Sequence, residues 1–317
     1  MKFINSAPCI GCFILVLSAV TSDVVWAEQT ETSVDEVIEQ CKSLEDDNPL
    51  QAIELSKITL ETINKFNRPV DYGQLLGCMG WAYAISDQLI SSRDSVYELE
   101  KISISLNESE QSVQLLRRAG SVYHRIGDRF SATENYKLAM IHADNLDLIS
   151  EKIPLLVNLG VLNSEIKEHE KAIDNYYLAL DLMKAIDDFK YQPPVLFNLA
   201  VTLNGQKRFN EAIKIYHQVE ALIDENWPQQ RMAQVYFGLA AGYDGINQLQ
   251  ISRDYTNKTL AALETENEPT MFNHDVNVFN AIVKAKMGEK EGSLEVADQA
   301  AEYFLRKENE SAMISAE

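Results

Sequence analysis

The chain has 317 residues, a formal net charge of −20, 46% hydrophobic and 24% charged residues. An acidic surface of that size repels nucleic acid and anionic lipid, so neither is an expected partner. The charge suits a solvated outer face, or contact with a neutral or cationic partner.

Residues 1–27 read as a secretory signal. Lys2 supplies the positive start, the run from Cys9 to Val20 is apolar, and Val25-Trp26-Ala27 puts small residues at −3 and −1, so cleavage is expected before Glu28. The run is shorter than the ~20 residues that span a bilayer. An uncleaved N-terminal anchor is the alternative. The expectation is an exported protein, in a bacterial periplasm. Cys41 and Cys78 are the cysteines remaining after cleavage. In an oxidising compartment they are candidates for a disulfide, with two separate buried thiols as the alternative.

Residues 28–33 form a short linker, and Ser33 with Glu36 can form a capping box for a first helix. A repeat of about forty residues then runs along residues 34–305. Its four marker positions are Gln40, Ala52, Ser56 and Thr59 in the first unit, then Gly80, Ser92, Val96 and Leu99. They sharpen in the centre: Gly120, Ala132, Tyr136 and Ala139; Gly160, Ala172, Tyr176 and Ala179; Ala200, Ala212, Tyr216 and Val219. They weaken again at Ala240, Ser252, Thr256 and Thr259. After a one-residue slip they end with Ala281, Ser293, Ala297 and Ala300.

Small residues at the first two markers let antiparallel helices approach. The aromatic four residues later lies on the same helical face and fills the gap. Leu76, Leu116, Leu156 and Leu196 sit one turn before the first marker, on the same face. Pro49, Pro69, Pro154, Pro193, Pro194, Pro228 and Pro269 are all expected at helix starts or connections, none inside a helix. Gly127 and Gly288 mark turns. Period-two alternation is missing, so no sheet is expected. Residues 306–317 form a polar tail.

These offsets, Ala119-Gly120-x-x-Tyr123 and Leu159-Gly160 followed by Ala-x-x-x-Tyr-x-x-Ala, resemble the tetratricopeptide repeat in a 40-residue variant. The central units are also similar to exported repeat domains of bacterial sensor proteins. The resemblance implies an all-α, right-handed superhelical solenoid of about seven hairpins, with an inner groove lined by first helices. In such proteins the groove takes a peptide or a partner helix. Asn163 and Lys284 depart from the aromatic position.

Groove positions follow from the frame. They are Val157, Phe197 and Phe237; Val161, Val201 and Ala241; and Ser164, Asn204 and Asp244. An exposed apolar strip there would mark a binding surface. Burial by closure of the superhelix is the alternative. Asn158 and Asn198 stand where the family's binding asparagines lie, and an amide can both donate to and accept from a peptide backbone. Arg117, Arg118 and Arg125 converge with His124 in the third unit. Guanidinium forks suit a carboxylate or phosphate. Pairing with Glu98, Glu100 or Glu165 is the competing expectation.

Catalytic motifs are missing. His169-Glu170 is followed by Lys-Ala-Ile rather than completing HExxH, and Ser164-x-x-Lys167 lacks its companion motifs. The histidines and cysteines lack metal-ligand spacing. The expectation is a non-catalytic periplasmic interaction module, without cofactor, that binds a peptide or a membrane-protein segment in envelope signalling. The alternatives are a scaffold for an envelope assembly or secretion machine, and a sensor of a small anionic ligand.

Overall fold

The computed structural model describes residues 33–223, 227–264, 270–289 and 295–296. The signal at 1–27, most of the linker, Pro269, the markers Ser293, Ala297 and Ala300, and the tail at 306–317 lie outside them. Among the described residues there are thirteen helices and no strand. They run α1 (Val34–Leu44), α2 (Pro49–Thr62), α3 (Pro69–Ile85), α4 (Leu89–Ser105), α5 (Glu110–Arg125), α6 (Arg129–Asn145) and α7 (Ile149–Glu165). Then follow α8 (His169–Ala185), α9 (Gln192–Gly205), α10 (Phe209–Glu220), α11 (Gln229–Gly245), α12 (Leu249–Leu263) and α13 (Met271–Lys286). None of these helices is long and apolar enough to cross a membrane. The fold is a tetratricopeptide-like helical repeat.

The chain divides into two compact units, residues 1–158 and 159–317, with the boundary inside α7. In the first unit α1 packs on α2 and α3, α3 on α4 and α5, and α5 on α6. In the second, α8 packs on α9, α9 on α10 and α11, and α11 on α12, which packs on α13.

The marker residues do the packing. Ala52, Ala132, Ala172 and Ala212 are fully buried. At Gly120 and Gly160 the tyrosine of the same hairpin lies on the first marker. A Cβ on Gly120 would stand 2.5 Å from the Tyr136 ring, and one on Gly160 would strike Tyr176 in the same way. Where the first marker is Ala200, Tyr216 lies instead against Gly238 of the following helix. Serine at the second marker still packs, because it hydrogen-bonds across the hairpin. Ser92 Oγ donates to the Gly80 carbonyl at 2.7 Å, and Ser252 Oγ to the Ala240 carbonyl at 2.9 Å.

The turns repeat as strictly as the helices. From α3 onward, left-handed residues close the first helix of each hairpin at Asp87, Gly127, Lys167, Lys207 and Asn247, then at Gly288 after the one-residue slip; α1 ends without one. A second set, Asn107, Asp147 and Asp187, closes second helices. Such residues let the last carbonyls of a helix find donors: Gln88 N–H, for example, reaches the Tyr83 carbonyl at 2.8 Å. Ser33 and Glu36 form the capping box on α1.

One expectation fails. Pro154 lies inside α7, because the helix begins at Ile149 rather than at the proline. The first turn is already closed by Lys152 N–H on the Leu148 carbonyl. The helix thus loses one backbone bond of its own at the proline, in a segment whose Ile153, Leu155 and Leu156 side chains are all buried.

Candidate functional site

In the second unit, Phe197 of α9 lines a cavity of about 220 Å³ with Pro193, Pro194, Trp227, Pro228, Arg231 and Val235. The double proline starts α9, where a missing N–H costs no helix bond. It stiffens one wall. Pro228 caps α11 and sets Trp227 opposite, and the first turn of α11 supplies Arg231. The Phe197 ring is held edge-on against Tyr216, with centroids 6.1 Å apart. Arg231 is exposed and makes no ion pair with the described residues. The result is an apolar and aromatic hollow with a guanidinium at its edge that is unpaired among the described residues.

The other groove positions of this unit differ among themselves. Val161 is half-buried, and Val201 is 44% exposed. Asn198 is half-buried, and its carbonyl accepts from Thr202 Oγ1 at 2.9 Å. Asn204 donates to the Gly238 carbonyl at 2.9 Å, so its amide holds α9 to α11. Phe237 is not part of an open strip. It packs edge-on against Phe272 at 5.5 Å and Phe279 at 5.2 Å, within the cluster of Ala233, Ala262, Leu263 and Val276. Helix α13 covers the place where a ligand would have to touch it.

In the first unit, Val157 and Asn158 are half-buried, and the Asn158 amide reaches Ser121 Oγ at 3.5 Å. The three arginines do not converge as one open cationic cluster. Arg118 is ion-paired and hydrogen-bonded to Glu45, donates from Nε to the Gly77 carbonyl at 3.2 Å, and lies 5.2 Å from the Trp81 ring. Arg125 faces the same ring at 5.8 Å. Trp81 is itself fixed by donation to Asp46 at 2.8 Å. Arg117 has a different counter-ion, Glu151 at 3.7 Å.

Two of the glutamates expected as arginine partners are engaged elsewhere. Glu98 pairs with Lys65 at 2.9 Å, and Glu100 accepts from Tyr123 at 3.0 Å and Asn135 at 2.8 Å. Burial pushes the Glu45 carboxyl above its ordinary range, against the opposing pull of Arg118. Burial and the Glu100 carboxylate together raise the Tyr123 hydroxyl.

Cys41 and Cys78 are joined as a disulfide between α1 and α3, with Cα atoms 6.2 Å apart, inside the range that a bridge needs. Both are buried. Among the described residues there is no group of three histidine, cysteine or acidic side chains placed to hold a metal ion.

Trp227, Pro228 and Arg231 escape a reading by repeat register, because they lie on the connection and first turn ahead of the frame. The signal was still in the sequence: a tryptophan-proline pair on a connection, opposite a double proline one unit earlier.

No family model matches the chain, and no curated protein matches it by sequence. Solved structures do match its fold. The apo form of RapI superposes with a TM-score of 0.65 at 14% identity, over 84% of this chain and 75% of that one. NprR in complex with its cognate peptide NprX gives 0.56 at 14% identity, over 87% and 80%. Aspartyl phosphate phosphatase F from Bacillus subtilis gives 0.61 at 12% identity, over 90% and 87%. At these identities the likeness is one of fold.

Proposed function

We propose that the chain is a non-catalytic interaction module that binds an extended peptide or a segment of a partner protein, with the Phe197 hollow as the anchor site. The observation that carries this is the hollow itself. A preformed aromatic and proline-walled cavity offers apolar surface at little ordering cost. The unpaired Arg231 at its edge can then fork onto a carboxylate. The matching ligand is an extended segment with one large apolar side chain and an acidic group one or two residues away. NprR, solved with a bound peptide, supports the reading as an example of this fold used for that purpose. The apolar run at Cys9–Val20 supports a place in a bacterial periplasm, with a membrane protein as the source of the segment and envelope signalling as the setting.

The test is selection from a displayed random-peptide library against the purified chain. Enrichment of a large apolar residue followed closely by Asp or Glu is expected, and should be lost on Phe197→Ala and on Trp227→Ala. Enrichment that survives both substitutions, or no enrichment at all, would overturn the proposal.

A further inference from the structure

The first unit holds a second cavity of different chemistry. It measures about 310 Å³ and lies between α1, α3 and α5, with a wall that includes Lys42, Glu45, Gln74, Arg117 and Arg118. That volume exceeds the ~30 Å³ share of one water by about tenfold, so a small organic molecule fits.

The wall's polar groups are unequally occupied. Arg118 is spent on Glu45, the Gly77 carbonyl and the Trp81 face. Arg117 is not. Its Nε is buried with no hydrogen-bond partner, and Glu151 stands 3.7 Å away, beyond hydrogen-bond reach. The other Glu151 oxygen is already taken by the Gln114 amide at 2.9 Å. The Gln114 side-chain carbonyl accepts no hydrogen bond within the described residues. The Gln74 amide is half-buried and makes no hydrogen bond within the described residues. The Arg117 side chain is 31% exposed, so its terminal nitrogens, which make no hydrogen bond within the described residues, are the ones a ligand carboxylate can reach.

Charge selects among oxyanions. On the wall itself the cations Lys42, Arg117 and Arg118 outnumber the one carboxylate, Glu45. Their counter-ions Glu39 and Glu151 stand close behind. With Glu45 these make three carboxylates against three cations, so the surroundings carry no net positive charge and a monoanion is less costly to seat than a phosphate dianion. The Gln74 amide and the Gln114 carbonyl suit a ligand body that also donates and accepts hydrogen bonds.

We infer that this cavity is a binding site for a small organic acid, whose carboxylate is held by the Arg117 guanidinium and whose polar body is held by Gln74 and Gln114. It is a site separate from the Phe197 hollow, lying wholly within the other unit.

The test is isothermal titration calorimetry on the full chain with L-lactate, glycolate and N-acetylglycine. Lactamide, inorganic phosphate and sodium chloride serve as controls. At least one acid is expected to give a saturable heat that lactamide and chloride do not. Arg117→Gln is expected to weaken it at least tenfold, and Gln74→Ala about three- to tenfold. Gln74 makes no bond that holds the fold, so its variant separates lost binding from lost structure, with far-ultraviolet circular dichroism as the check. The proposal is overturned if none of the acids gives a saturable heat, if phosphate binds where they do not, or if binding survives Arg117→Gln. Peptide selection at the Phe197 hollow should be unchanged by either variant, so failure here is distinguishable from failure there.

Discussion

Replacing Arg118 by methionine should destabilise the first unit in a pH-dependent way. The substitution keeps most of the side-chain volume and removes the charge that faces Glu45. It strands a carboxylate whose side chain is only 11% exposed, and it takes the donor from the Gly77 carbonyl. Removing one partner of a fully buried pair costs ~3–5 kcal/mol. Arg118 is 27% exposed, so water recovers part of that, and ~2–3 kcal/mol is expected at neutral pH.

The sign with pH follows from Glu45. Its folded pKa is already raised, by desolvation, so the folded state takes up the proton more readily than the unfolded state. Without Arg118 the pKa rises further. The charged penalty is therefore fully present above that pKa and fades as the pH falls through it. Urea unfolding of wild type and Arg118→Met at pH 7.5 and pH 5 measures this. The gap between the two proteins should narrow at the lower pH, and Glu45→Gln combined with Arg118→Met should recover much of the loss at pH 7.5. A gap that widens on acidification, or a cost under ~0.5 kcal/mol at pH 7.5, would refute the reasoning.

Other outcomes follow from the packing. Gly120→Ala sets a Cβ against the buried Tyr136 ring, so overpacking of ~1–3 kcal/mol should outweigh the ~1 kcal/mol helix gain. Gly205→Ala meets nothing within 4 Å and should be neutral to stabilising, which urea midpoints of the two variants will compare. Reduction of the Cys41–Cys78 bridge, or Cys41→Ser with Cys78→Ser, opens a loop spanning a sequence separation of 37. Loop entropy puts the loss at ~3–4 kcal/mol, to be read from unfolding with and without reductant. Phe237→Ala empties a site packed between Phe272 and Phe279 and should cost ~2–3 kcal/mol of stability while leaving peptide affinity unchanged.

The repeat was legible in the sequence because close helix approach leaves a compositional trace. Gly120, Gly160 and the buried alanines tolerate nothing larger, so their spacing shows through a chain that otherwise varies freely. The turns were legible only at Gly127 and Gly288. At Asp87, Lys167, Lys207 and Asn247 an ordinary residue takes the same left-handed conformation, held by the bonds of the helix end, and leaves no glycine to find. Pro154 was misplaced for a related reason: burial of its neighbours carries α7 through a residue that local propensity would place at an end.

The wall of the hollow follows helix register at Phe197, whereas other contacts depend on distant pairing. Glu45 meets Arg118 across 73 residues, and α13 covers Phe237 after the frame has slipped by one. No periodicity in a single chain encodes either contact. Trp227 and Arg231 lie ahead of the frame altogether, on a connection whose course the repeat does not dictate.

The central claim is that the Phe197 hollow anchors an extended acidic segment. Fluorescence anisotropy of a library-selected peptide and of its counterpart with the acidic residue replaced by alanine, each titrated with wild type, Phe197→Ala and Arg231→Glu, tests it most directly. At least tenfold weaker binding is expected for each variant, equivalent to ~1.4 kcal/mol or more, with the Arg231→Glu loss confined to peptides that carry the acidic residue. Unchanged affinity in both variants would contradict the account.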